Sequence, residues 1–156
     1  MKKILVLSDT HRSVGAAADI IRSMPDISAI LHAGDCTCDA EELRELFPKI
    51  PIYYVRGNND WFSDAPDSLV IKIGGATIFL THGHNERVKH ELTLSTLIKR
   101  GENCGADLIV FGHTHKAYND PSGKIAVLNP GSITYGDTYA TAEIDGGRIK
   151  TAIHKY

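Results

Sequence analysis

Five short apolar runs in this sequence each lead, within a few residues, into Asp, Asn or His, and no other feature constrains the fold as strongly. The runs are residues 3–7, 27–32, 52–55, 76–81 and 108–111. Runs in which nearly every position is apolar are typical of strands buried on both faces of a sheet. Ligands bind at the carboxyl ends of the strands in α/β sheets. The sequence therefore predicts an α/β fold with a polar site along one edge of its sheets.

Helical patterns and hairpin turns fill the segments between these runs. Helices are predicted at residues 13–23, 39–47 and 88–100. Ser13 is the expected N-cap of the first helix, and Asp39 with Glu42 resembles a capping box at the start of the second. Further strands are expected at residues 68–73, 125–128, 138–144 and 148–154. We expect a single domain, residues 1–156, because neither the βα-rich first half nor the β-rich end would bury much surface alone.

The charge balance and the lack of long apolar stretches argue against several classes of protein. Lys and Arg number 17 and Asp and Glu number 19, which gives a formal net charge of −2. A dedicated DNA-binding protein is usually basic, so stable nucleic-acid binding is not expected. The first apolar run is too short for a signal peptide, and no stretch approaches the roughly 18 apolar residues of a membrane span. We therefore expect a cytoplasmic protein with no membrane association.

The three cysteines are an odd number, which argues against a disulfide framework in a reducing compartment. Cys36 and Cys38 lie one residue apart, beside Asp35. We interpret them as two small buried residues at a turn. A thiol switch or a third metal site is the alternative.

The polar residues that follow the strands are of the types that bind metal ions. In chain order the candidate ligands are Asp9, His11, Asp35, Asn58, His82, His113 and His115. Clustered carboxylates repel one another and unpaired buried charges are costly, so a cation is expected among them. Imidazole together with carboxylate suits Mn, Fe, Zn, Ni or Co better than Ca or Mg. Seven ligands are too many for one ion and fit two ions that share a carboxylate, and Asp35, on a glycine turn, is the natural bridge.

Together these motifs resemble a known signature. The motifs are Asp9-Thr10-His11, Gly34-Asp35, Gly57-Asn58-Asn59-Asp60, His82-Gly83-His84 and Gly112-His113-Thr114-His115. They resemble those of the calcineurin-like metallophosphoesterases, and their compact spacing, with Asn129-Pro130-Gly131-Ser132, is similar to the small bacterial and archaeal phosphodiesterase branch. The resemblance implies a four-layer α/β/β/α sandwich of two packed mixed β-sheets flanked by helices.

The resemblance also implies which residues bind each ion. Asp9, His11 and His115 would hold one metal, Asn58, His82 and His113 the other, and Asp35 would bridge them. Manganese is expected first, with Ni, Fe, Zn or Co as alternatives. The implied reaction is hydrolysis of a small phosphodiester by a metal-bridging hydroxide, with no protein nucleophile.

Further residues are expected to assist at this site. Asp60 and His84 are expected to orient the imidazoles, and His32 is expected to be a buried histidine in the core or behind the site. Arg12 is expected to contact the substrate phosphate through its fork geometry, the alternative being a solvated charge near a helix N-terminus. Asn59 stands where many family members have a His that helps to protonate the leaving oxygen. Because Asn is not an acid near neutral pH, we expect phosphodiesters with good leaving groups to be preferred over monoesters.

Two other functions remain open from the sequence. The first is a nucleotide phosphatase or nuclease of the same chemistry. The second is a non-catalytic scaffold, because a subunit of the retromer complex resembles this family. A scaffold has no need of metal ligands, and this sequence keeps all seven, which favours the enzyme. The sequence leaves open the natural substrate and whether the chain forms a homo-oligomer.

Overall fold

The computed structural model describes all 156 residues, which form ten strands and four helices. The strands are β1 (Lys2–Leu7), β2 (Ala29–His32), β3 (Ile52–Tyr54), β4 (Ser68–Ile73), β5 (Ala76–Thr81), β6 (Leu108–Val110), β7 (Tyr118–Asp120), β8 (Ala126–Asn129), β9 (Thr138–Asp145) and β10 (Arg148–Lys155). The helices are α1 (Val14–Ser23), α2 (Thr37–Leu46), α3 (Ser95–Asn103) and α4 (Ile133–Gly136). None of these helices has the length and apolar character needed to cross a membrane.

The strands form two mixed sheets of five strands each. The first sheet has the order β10-β9-β1-β2-β3, in which β1, β2 and β3 are parallel and β9 runs antiparallel to both of its neighbours. The second has the order β4-β5-β6-β8-β7, with a parallel centre and an antiparallel strand at each edge. Parallel centres need crossover connections, and these place helices on the outer faces of the sheets.

The two sheets pack against each other through one apolar core. Successive side chains of a strand point to opposite faces, so alternate residues of β1, Ile4 and Val6, lie in one cluster with Leu80 of β5 and Val110 of β6. All four side chains are fully buried. This core occupies the middle of the molecule and joins the first sheet to the second.

The outer faces of the sheets are covered by helices. Leu5 and Leu7, on the opposite face of β1, lie in a second apolar cluster with Ile21 of α1. On the other side of the molecule, Ile109 of β6 clusters with Leu97 of α3. The layers therefore run helices, sheet, sheet, helix. The predicted α/β class and four-layer sandwich are confirmed.

The third helix begins later than the sequence predicts. Residues 88–94 form turns, and α3 covers Ser95–Asn103 instead of 88–100. The Glu91 carboxylate accepts hydrogen bonds from the Thr96 amide at 2.8 Å and from the hydroxyls of Ser95 and Thr96. The Glu91 carboxylate therefore marks the start of the helix, because it satisfies one of the first free amide groups, that of Thr96.

The predicted N-terminal cap of α2 is also wrong. The helix begins at Thr37, so Asp39 lies within its first turn. The Asp39 carboxylate does not cap the helix but accepts hydrogen bonds from Thr10 Oγ1 at 2.5 Å and from the Arg12 amide at 2.8 Å. Ser13 does precede α1, but its hydroxyl forms a hydrogen bond with Thr134 and caps no amide.

The sequence does not predict two short elements, β7 and α4. They have three and four residues, which are too few for a periodic pattern.

A glycine in α3 gives a test of how closely this helix packs. A Cβ at Gly101 would lie 2.4 Å from Cδ1 of the buried Ile109, so we expect Gly101→Ala to lower the free energy of unfolding by about 1–3 kcal/mol through overpacking. The matched control is Gly15→Ala in α1, where no atom lies within 4 Å and alanine is expected to stabilise the helix by about 0.5–1 kcal/mol. Urea unfolding of both variants measures the difference. Equal effects would contradict the packing assignment.

Candidate metal centre

The loops after β1, β2, β5 and β6 meet where the two sheets come together. The Asp9 amide donates to the Gly34 carbonyl at 2.9 Å, and the Gly112 amide donates to the His82 carbonyl at 3.0 Å. Asp9 also connects the two sheets, because its Oδ2 accepts from the His113 amide at 3.0 Å. The strand ends that the sequence singles out thus form one continuous edge.

Four of the seven predicted ligands are gathered into one group. Asp9, His11, Asp35 and His115 each offer a ligand atom, and these atoms all lie within 4.8 Å of one another. Both carboxylates are buried, and His115 Nε2 lies 3.1 Å from Asp9 Oδ1.

The other three predicted ligands lie beside Asp35. His82 Nε2 is 3.0 Å from Asn58 Oδ1 and 3.5 Å from Asp35 Oδ1. The rings of His82 and His113 pack edge to face, with their centroids 5.0 Å apart. Asp35 therefore neighbours both groups of residues.

Two buried polar atoms of this cluster have no hydrogen bond within the chain. Asp9 Oδ1 and His11 Nε2 are buried without a hydrogen bond. His82 Nδ1 lies 2.7 Å from the Ala33 carbonyl, which only accepts, so a neutral His82 directs the lone pair of Nε2 at the carboxylates of Asp35 and Asp9. Buried polar groups are normally satisfied, and a cation among these atoms would satisfy them. The nitrogen and oxygen donors fit a divalent transition metal.

The protonation states of the cluster also suit metal binding. Burial, aided by the nearby His82, lowers the pKa of His113 to about 4. Burial alone would raise the pKa of Asp35, but His82 and two hydrogen bonds from Asn59 outweigh it and the pKa is lowered. At neutral pH the imidazole of His113 is therefore neutral and Asp35 is ionised, which are the forms that bind a metal.

The backbone at the cluster is held in an unusual conformation. Five of the seven predicted ligands have positive φ angles between 42° and 69°: Asp9, His11, Asp35, His113 and His115. Such strained residues cost about 1–3 kcal/mol each and persist where the surrounding structure fixes them, typically at functional sites.

Two glycines of the motifs allow their loops to lie close to the carboxylates of Asp35 and Asp9. A Cβ at Gly57 would lie 2.0 Å from Asp35 Oδ1, and one at Gly112 would lie 1.9 Å from Ser8 Oγ and 2.7 Å from Asp9 Oδ2. A side chain at either position would displace a carboxylate. The glycines before Asn58 and His113 thus have a steric role at the cluster.

Asn59 and Asp60, two of the residues predicted to assist the ligands, form hydrogen bonds with different parts of the site. Asn59 donates from Nδ2 to Asp35 Oδ2 at 2.8 Å and from its amide to Oδ1 at 3.1 Å, so it orients that carboxylate. The expected contact of Asp60 with an imidazole is absent, and its carboxylate instead accepts from the amides of Gly57 and Thr37 at 2.7 and 3.0 Å. Asp60 therefore fixes the loop backbone.

His84 contacts the neighbouring imidazoles through packing. Its ring centroid lies 5.5 Å from that of His82 and 6.2 Å from that of His113. Its Nδ1 is buried without a hydrogen bond. Burial and the nearby His82 lower the pKa of His84. The ring is therefore held beside the ligands without orienting them by a hydrogen bond.

Arg12 and His32 lie around the loop that follows β1. The side chain of Arg12 is exposed and forms no ion pair, while its amide donates to Asp39. His32 is fully buried behind the site, as expected, with Nε2 3.0 Å from Thr10 Oγ1 and Nδ1 accepting from the Gly34 amide. Burial lowers the pKa of His32.

Cys36 and Cys38, beside Asp35, differ in their burial. Cys36 is half-buried, with Sγ 3.9 Å from His11 Nδ1, and burial raises the pKa of its thiol to about 11. Cys38 is exposed, so the interpretation of both as buried packing residues is wrong for Cys38. The raised pKa of Cys36 argues against a thiol switch, because the thiolate is the reactive form.

Sequence reasoning missed Tyr135 as a residue of this site. Its ring stacks on His115, with centroids 4.9 Å apart and an interplanar angle of 12°, and lies edge to face against His11 at 5.0 Å. Ser132 accepts from the Tyr135 amide as the N-cap of α4 and donates to the Asp9 carbonyl at 2.7 Å. The only sequence signal was the Asn129–Ser132 motif, which precedes this helix.

Comparison with known proteins identifies the family. The sequence matches the calcineurin-like phosphoesterase superfamily domain over residues 1–147, and the chain belongs to this superfamily. It is 34% identical over 132 residues to the probable metallophosphoesterase YsnB of Bacillus subtilis, covering 83% of this chain and 74% of that protein. It is 29% identical over 147 residues to phosphodiesterase MJ0936 of Methanocaldococcus jannaschii, covering 83% and 82%. These relatives support a hydrolase activity, and the predicted family resemblance is confirmed.

Solved structures with the same fold agree with this assignment. A conserved protein of Streptococcus pneumoniae, described as a predicted phosphoesterase, has 30% identity and a TM-score of 0.80, and the match covers 99% of this chain and 89% of that chain. Vps29 of Entamoeba histolytica, in a complex with Zn²⁺, has a TM-score of 0.73 over 98% of both chains. At 24% identity, the likeness to Vps29 is one of fold.

The contacts of the Tyr135 ring with His11 and His115, two predicted ligands, can be tested. Outer-shell partners of a metal site typically contribute about 10- to 100-fold to metal affinity. We expect Tyr135→Ala to weaken Mn²⁺ binding by about 10-fold, because the rings of His11 and His115 lose their support. Tyr135→Phe keeps the ring and should bind as the wild type does. Calorimetric titration of chelator-treated protein makes the measurement, and an unchanged affinity in Tyr135→Ala would refute the positioning role.

Proposed function

We propose that this protein is a metal-dependent phosphodiesterase with a dinuclear centre. The observation that carries the proposal is the gathering of Asp9, His11, Asp35 and His115 within 4.8 Å, with His82 only 3.5 Å from Asp35. Asp9, His11 and His115 hold one ion in this proposal, and Asn58, His82 and His113 hold the other, with Asp35 shared. Mn²⁺ is the first candidate, and Ni, Fe, Zn and Co are the alternatives that the same donors accept.

The residues of the chain prepare this site for phosphoryl chemistry. The residues named above would hold two divalent ions, which would supply a water molecule of lowered pKa as the nucleophile and would offset charge on the phosphoryl oxygens. Asn59 holds the Asp35 carboxylate in place, and the Ala33 carbonyl fixes the orientation of the His82 ring. In this proposal the exposed Arg12, in the loop after β1, contacts a substrate phosphate through its fork geometry.

Two other functions are weaker candidates. A non-catalytic scaffold is the first alternative, and it rests only on the fold that the chain shares with Vps29. The relative named as a phosphodiesterase supports the enzyme, and so do the buried Asp9 Oδ1 and His11 Nε2, which have no hydrogen bond and which a bound cation would satisfy. A nucleotide phosphatase or nuclease would use the same cluster, and the net charge of −2 argues against long nucleic acids as substrates.

Hydrolysis of bis-p-nitrophenyl phosphate tests the proposed function. We expect chelator-treated protein to be inactive, Mn²⁺ to restore turnover, and Asp35→Asn to reduce kcat/KM by at least about 100-fold, since it removes the shared carboxylate. Asp26→Asn is the control, because Asp26 is an exposed carboxylate paired with Lys3. The absence of turnover with Mn²⁺, Ni²⁺, Co²⁺ or Zn²⁺ would contradict the proposal and favour a scaffold.

Because residue 59 is Asn, we expect the rate of hydrolysis to depend on the leaving group. Both donors of Asn59 are directed at Asp35, and an amide is no acid near neutral pH, so it does not protonate a departing alkoxide. General acid catalysis typically contributes about 10²- to 10⁴-fold. We expect bis-p-nitrophenyl phosphate to be hydrolysed at least about 100-fold faster than glycerol phosphate, as measured by kcat/KM. Comparable rates would show that another group supplies the proton.

A further inference from the structure

A polar cavity of about 300 Å³ opens beside the candidate metal centre. Its lining includes Asn58, a predicted ligand, and His84, which packs on the ligand His82. Trp61 is the one apolar side chain in this lining. The cavity therefore adjoins the site of chemistry and has a single flat hydrophobic wall.

The ring of Trp61 is free to bind a ligand. Its side chain is 82% exposed, although Trp is among the residues that are highly buried on average. The backbone beneath it is fixed, because the preceding Asp60 bonds the amides of Gly57 and Thr37. An exposed aromatic ring on a fixed loop beside a polar cavity is a surface on which a planar group stacks.

The other walls of the cavity carry hydrogen-bonding groups. The side chain of Asn85 is exposed and lines the cavity together with the His84 ring. Arg56 donates from Nε to Asp67 Oδ1 at 2.8 Å, which leaves the terminal nitrogens of the guanidinium free. One flat apolar wall and several donors and acceptors match a ligand with aromatic faces and polar edges, which describes a nucleobase.

We propose that this cavity binds the nucleoside arm of a phosphodiester substrate, with the base stacked on Trp61 and the phosphate at the metal centre. The proposal rests on the proposed function, because a phosphate held near Asn58 is what places the nucleoside in the cavity. The polar walls select a nucleoside over a simple aryl group, which has no hydrogen-bonding edge. Trp61 is then a specificity-determining residue of the enzyme.

The first test is a binding measurement that needs no catalysis. Trp61 is the only tryptophan of the chain, so the tryptophan emission comes from this residue alone. We expect AMP added to the Mn²⁺-loaded protein to change the emission of Trp61 in a saturable manner. Ribose 5-phosphate, which lacks the base, should leave the emission unchanged at the same concentrations. No response to AMP would overturn the proposal, as would equal responses to both compounds.

The second test compares two diesters that release the same p-nitrophenol: thymidine 5′-p-nitrophenyl phosphate and methyl p-nitrophenyl phosphate. We expect the wild type to prefer the nucleoside diester in kcat/KM and Trp61→Ala to reduce that preference by about 10-fold, as loss of base stacking does. Trp61→Phe keeps a ring and should retain most of the preference. Phe62→Ala is the matched control, because Phe62 is fully exposed on the same loop but does not line this cavity.

The outcomes separate this inference from the proposed function. Hydrolysis of the methyl diester with no preference for the nucleoside would leave the phosphodiesterase intact and overturn the nucleoside subsite. Failure to hydrolyse either diester would contradict the phosphodiesterase, and the AMP titration would still decide the subsite. If Phe62→Ala reduced the preference as much as Trp61→Ala, the assignment to this cavity would be wrong.

Discussion

Asp9 and Asp35 are both buried where the two sheets meet, and the surrounding structure is built around these two carboxylates. Each is held by several bonds: Asp9 accepts from Ser8 and the His113 amide, and Asp35 accepts twice from Asn59. One Asp9 oxygen is nevertheless left without a hydrogen bond. Burying carboxylates is costly unless they are paired, and the nearby imidazoles face them with ring nitrogens that suit metal binding. A cation bound among these groups would explain the arrangement.

The loops that present these side chains are supported from behind by a second set of contacts. Thr10 donates to Asp39 and lies 3.0 Å from His32, which fixes the loop after β1 against α2. Ser132 donates to the Asp9 carbonyl from the opposite side. These contacts offset the strain of the left-handed backbone at the ligands. Tyr135 completes the support by packing on the imidazoles of His11 and His115.

The strands and the candidate ligands could be predicted from sequence because both leave local signals. A buried strand such as β1 is a continuous apolar run, and a polar residue directly after it lies at the sheet edge whatever the details of packing. The contacts of Asp39, Asp60 and Tyr135 could not be predicted, because each depends on a partner distant in sequence. Asp39 resembled a cap, yet it bonds Thr10, which is 29 residues away. The stacking of Tyr135 on His115 arises from a four-residue helix that has no periodic pattern.

Electron paramagnetic resonance of the Mn²⁺-loaded protein would detect two ions that share the Asp35 carboxylate. Ions about 3.5–4 Å apart in a two-metal site are close enough for their electron spins to couple through a shared ligand. We expect the signal of isolated Mn²⁺ to be replaced by that of a coupled pair as two equivalents are added. Saturation at one ion per chain, or two uncoupled signals at full occupancy, would contradict this expectation.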